Sequence, residues 1–84
     1  MTHNPYAWLS DERYEMIINA DHRPPKHTSA AGMCIVLAAV DGLIALQDDK
    51  LPPDERRRRT QIFTPAELAA FLEDAKAGEY DHLI

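Results

Sequence analysis

The clearest hydrophobic patterning lies in the middle of the chain. Met33 to Val40 is an unbroken apolar run, Asp41-Gly42 interrupts it, and Leu43 to Gln47 returns. Asp-Gly supplies the positive φ values that a two-residue type I′ turn requires, so the pattern predicts a β-hairpin. With Val40 and Leu43 flanking the turn, Ala39 faces Ile44, Ala38 faces Ala45, Leu37 faces Leu46 and Val36 faces Gln47. The side-chain period of two then sorts the pair into faces. One carries Ile35, Leu37, Ala39, Ile44 and Leu46; the other carries Cys34, Val36, Ala38, Val40, Leu43, Ala45 and Gln47. The first holds more volume and is the expected core face.

Thr60 to Phe63 reads as a short third strand handing over to the last helix. Thr64 is a favourable N-cap, Pro65 falls at the first helical position, and Glu67 stands where it completes a capping box. Phe63 and Leu68 have the spacing of a hydrophobic staple. Leu68, Phe71, Leu72 and Ala75 form an apolar stripe over 65–77, and Gly78 is a left-handed stop. The tail is expected to dock through Tyr80 and Leu83. Upstream, Asn4-Pro5 marks a turn. Ser10 before Asp11 and Glu12, with Tyr14, Ile17 and Ile18 on one face, predicts a helix over about 11–20. Arg23-Pro24-Pro25 stops it, and a loop follows to Gly32. Asp48 to Arg59 is polar, contains Pro52-Pro53, and reads as a second long loop. The fold expected is α+β: a three-stranded antiparallel sheet (33–40, 43–47, 60–63) with the 65–77 helix packed on one face and an N-terminal helix.

Composition narrows the class without naming a chemistry. At 84 residues, 45% hydrophobic and 27% charged, the chain is one small globular domain whose core is marginal. Cys34 is the sole cysteine, so no disulfide closes within the chain, and no apolar run reaches bilayer-spanning length. The single cysteine and the lack of an apolar signal segment lead to the expectation of a reducing, cytoplasmic setting. Nine basic residues against fourteen acidic ones leave −5, which disfavours general binding to phosphate backbones and favours protein partners. Arg56-Arg57-Arg58-Arg59 is the one candidate for nucleic-acid contact, but Asp48, Asp49, Asp54 and Glu55 flank it. Cys34 sits in an apolar strand and reads as an inert packed residue rather than a nucleophile. His3, His22, His27 and His82 lack metal-ligand spacing, no carboxylates form an acid/base pair, and no cofactor is implied.

From Gly32 onward the chain resembles a family of small actinobacterial proteins catalogued as a domain of unknown function, the BldB-like proteins. The resemblance rests on two ordered blocks. The first is Gly32-Met33-Cys34-Ile35-Val36-Leu37-Ala38, then Gly42, then Ile44-Ala45-Leu46-Gln47-Asp48-Asp49-Lys50-Leu51-Pro52. The second is Phe63-Thr64-Pro65-Ala66-Glu67, Phe71-Leu72 and Lys76-Ala77-Gly78-Glu79-Tyr80-Asp81. It divides the chain into a chain-specific segment, 1–31, and a BldB-like domain, 32–84. Leu68 stands where many members have Trp. Val36 and Gln47 stand where the family typically has Glu and Arg, a cross-strand ion pair in the register above. Members are commonly encoded beside helix-turn-helix regulators and are associated with development and antibiotic production. The resemblance therefore implies a non-enzymatic regulatory protein that binds such a regulator, with antitoxin-like inhibition as one form. Direct nucleic-acid binding through Arg56 to Arg59 is the rival.

The Val36 face carries a further expectation. Leaving Val36, Val40 and Leu43 in water would forgo roughly 1.5–3 kcal/mol each. Trp8, Tyr14, Ile17 and Ile18 have no other evident place to bury. The N-terminal segment is expected to cover this face, from its own chain or, preferably, from a second copy in a two-fold homodimer.

Overall fold

The computed structural model describes residues 4–24 and 34–84. Helix α1 (Asp11–Ile18) starts at Ser10, whose Oγ accepts the Arg13 N–H at 3.2 Å, with Asp11 and Glu12 at the positive end of the helix dipole. It stops two residues earlier than expected: the Asn19 amide donates to the Glu15 carbonyl at 2.8 Å. Strands β1 (Ile35–Val40) and β2 (Leu43–Asp48) pair antiparallel, and β3 (Gln61–Phe63) adds to β2, giving the order β1-β2-β3. The register matches the arithmetic from the turn, with Val36 opposite Gln47 and Leu37 opposite Leu46. Asp41 (φ +56°) and Gly42 (φ +75°) have the two left-handed conformations of a type I′ turn. Met33 and most of the loop expected before it lie outside the described residues.

The core is on the opposite face of the sheet from the one expected. Ile17, Ala45 and Ile62 are fully buried, Leu43 packs with them, and Val36 and Ile18 are also buried. The bulkier face, with Leu37, Ile44 and Leu46, is only half-buried, and Ile35 is 58% exposed. Strand-face volume does not settle which side becomes core; the covering element does. Here α1 brings Ile17 and Ile18 onto the smaller-residue face, and Leu9, Tyr14 and Val40 close its margin.

The N-terminal segment thus covers the Val36 face within one chain, and hydrogen bonds fix it there. Gln47 is buried, and its Nε2 donates to the Ile18 carbonyl and to Thr60 Oγ1, both at 2.9 Å. Arg13 bridges to Asp41 in the hairpin turn at 2.5 Å. At the β3 edge the Ile62 N–H donates to the Tyr6 hydroxyl at 2.6 Å. At the β1 edge Arg23 exchanges two backbone hydrogen bonds with Leu37, at 2.7 and 2.8 Å. The segment is a strap that crosses the sheet and occupies edge positions on both sides, where unpaired strands invite aggregation.

The expected loop over 48–59 contains a helix, α2 (Pro53–Arg58). Pro53 is at its first position, where a missing N–H costs nothing, and Asp54 and Glu55 precede Arg56 to Arg58 in the order the dipole favours. Helix α3 (Pro65–Lys76) has the full capping box: the Glu67 N–H donates to Thr64 Oγ1 at 3.2 Å, and the Thr64 N–H to Glu67 Oε1 at 2.9 Å. Its end is a Schellman motif, with Gly78 (φ +82°) donating to Ala75 and Glu79 to Asp74. Of the tail, Tyr80 docks by stacking on Phe71, ring centroids 5.1 Å apart, while Leu83 stays 69% exposed.

Candidate protein-interaction groove

Helix α3 lies over the bulky face of the sheet but buries none of its own residues fully. It supplies three large apolar side chains to a wider apolar sheet face, so a groove of about 530 Å³ remains between helix and sheet. Ile35, Leu37, Ile44, Leu46 and Phe63 form its floor; Leu68, Phe71, Leu72 and Glu67 form its wall. Phe71 is 52% and Leu72 43% exposed. An apolar cleft of this size with half-exposed aromatic and aliphatic walls is a typical recognition surface. At the end of the same sheet face, Asp48 sits opposite Ile35 and pairs with Lys50 at 3.0 Å. Hydrogen bonds from the Lys50 backbone and ammonium hold the Asp48 carboxyl below its ordinary 3.8, and Asp48 in turn raises Lys50. Asp48 therefore contributes stability that is complete above 3.8 and is lost as pH falls through its lowered value.

The residues expected at an intermolecular surface are brought together, but inside one chain. Ile17, Ile18, Val36 and Leu43 are core, Tyr14 and Val40 are half-buried beside them, and Trp8 lies at the surface under the Arg13 guanidinium, 5.3 Å from its ring centroid. With this face filled from within, the argument for a two-fold dimer through it falls away. No family model, curated protein or solved structure matches this chain.

Each arginine of the 56–59 run has a carboxylate partner. Arg56 reaches Asp49 at 3.5 Å and the Leu51 carbonyl at 3.1 Å; Arg57 pairs with Asp54; Arg58 and Arg59 both pair with Glu55, the latter at 2.6 Å. The positive charge is largely neutralised where it stands. An electrophoretic shift at physiological salt should show no complex between this chain and duplex DNA. Tight, salt-sensitive binding that disappears when Arg56 to Arg59 are changed to Ser would contradict this.

Cys34 is half-buried just before β1, and its carbonyl accepts the Asp49 N–H at 2.7 Å. Native protein should react slowly with a thiol reagent, and Cys34→Ser should keep its partner affinity; rapid labelling with loss of affinity would assign the thiol a role. Among the described residues, no cluster of His, Cys, Asp or Glu could hold a metal ion, and no helix is long and apolar enough to cross a membrane. The groove itself was missed in sequence because its residues read as the expected core. The available signal was the shortage of large apolar residues on α3 relative to the face it covers.

Proposed function

We propose that this chain is a non-enzymatic regulatory protein that binds a helix-turn-helix transcription regulator through the α3 groove and alters its DNA binding. The observation that carries the reading is the groove: an apolar cleft whose wall residues Phe71 and Leu72 stand about half-exposed in the folded chain. The resemblance of two sequence blocks to the BldB-like proteins suggests the class of partner and the developmental or antibiotic-production setting. They also give meaning to the departure at Val36 and Gln47. In place of a cross-strand ion pair suited to water, this chain has an aliphatic and an amide that accept its own strap. On this reading residues 34–84 leave one face of the sheet for a partner, while the N-terminal strap closes the other.

Co-purification followed by calorimetry with the regulators encoded near it tests the reading. A complex of defined stoichiometry that shifts the regulator's affinity for its operator is expected. Absence of interaction with every such regulator would overturn it.

A further inference from the structure

The groove is apolar along its floor, and Glu67 is the one charged residue on its wall. Residues 65–84 carry Glu67, Glu73, Asp74, Glu79 and Asp81 against Lys76 alone, a net −4 out of the chain's −5. Glu67 and Asp74 stand two helical turns apart on one flank of α3, bracketing Phe71, which lies four residues after the first and three before the second. Strand addition is obstructed at both edges, by Tyr6 on β3 and by Arg23 on β1. The chain's own segments outside the description, 1–3 and 25–33, offer only Met1 and Met33 as large apolar side chains, too few to fill the cleft. A second copy would bring two C-terminal segments together, each of net charge −4. A helix with aliphatic side chains at i, i+3, i+4 and i+7 and lysine or arginine beside them satisfies floor and rim together.

We infer that the groove is a docking site for a basic amphipathic helix of the partner, laid along α3 with its apolar stripe between Phe71 and the sheet. This rests on the reading of the chain as a protein-binding regulator and specifies which feature of the partner is recognised. Opposite charge across the rim sets orientation and speeds encounter, while the apolar floor supplies most of the affinity.

The test uses three helix-favouring peptides of about 15 residues. One has a leucine stripe flanked by lysines, one has the same stripe flanked by glutamates, and the third is a scramble of the first. Binding to the full chain is followed by calorimetry and by methyl NMR. The lysine peptide should bind at least about 10-fold more tightly than either other, weaken with salt, and perturb Ile35, Leu46, Leu68 and Leu72. Glu67→Gln with Asp74→Lys should shrink the preference while leaving stability intact, because Gln still completes the capping box. Equal binding of the three peptides, perturbation elsewhere on the chain, or a groove occupied by a second copy in light scattering would overturn the proposal. If the chain captures the regulator yet does not discriminate among the peptides, this inference fails and the regulatory reading survives. If the lysine peptide docks and no regulator binds, the regulatory reading fails and the docking site stands.

Discussion

Val36→Glu should unfold most of this protein at neutral pH. Val36 is buried beneath the strap, and a carboxylate there has no cation to meet, because Gln47 opposite it already donates to Ile18 and Thr60. An uncompensated buried charge costs about 3–5 kcal/mol, and a domain of this size has stability near the lower end of about 5–15 kcal/mol. The melting transition should fall by tens of degrees in calorimetry, at about 4–8 °C per kcal/mol. Adding Gln47→Arg, which recreates the ion pair of the resembling family, should not rescue the fold, because it removes the amide that ties α1 to β2. A Val36→Glu protein of unchanged stability would mean that the strap does not cover this face in solution. Light scattering of the unaltered chain belongs with the same experiment, and the expected mass is that of a monomer.

Leu72→Glu should have the opposite character, abolishing partner binding while sparing the fold. Leu72 is 43% exposed on the groove wall, and a glutamate there gains Lys76 one turn later as an i, i+4 partner. The change in stability should stay within about 1 kcal/mol, somewhat above the roughly 0.5 kcal/mol usual for surface substitutions because Leu72 is partly covered. Binding should weaken by at least about 2 kcal/mol, or roughly 30-fold, because a charge then occupies the apolar centre of the contact. Wild-type affinity in the Leu72→Glu chain, measured by calorimetry, would remove the groove from the interface. The pair of variants separates the two faces of the sheet: the first should matter for folding, the second for the proposed recognition.

What could be read from the sequence were the features set by neighbours along the chain. The Asp41-Gly42 turn fixes the hairpin register on its own, and Thr64, Pro65, Glu67 and Gly78 fix both ends of α3 through local hydrogen bonds. Helix α2 was legible in principle. Pro52-Pro53 reads as a breaker, but a proline at the first helical position followed by acids and then bases is a helix signal. The choice of core face was not legible, because it depends on where a segment some 20 residues upstream comes to rest. Two apolar faces were available, and the volumes of Leu37, Ile44 and Leu46 pointed to the wrong one. The groove was hidden for a related reason: the stripe Leu68, Phe71 and Leu72 looks the same whether the helix seals the sheet or stands partly clear of it. Tyr6 and Arg23 gave no sequence sign of their places at the sheet edges, since those contacts join residues distant in the chain.

The strap side of the sheet is the protein's own core, and the α3 side is the proposed site for a partner. Methyl NMR of the labelled chain titrated with the proposed helix-turn-helix regulator tests this most directly. Ile35, Ile44, Leu46, Leu68 and Leu72 should shift on binding while Ile17, Val36 and Ile62 remain unmoved. Shifts at Ile17, Val36 and Ile62, with the groove methyls unchanged, would contradict it.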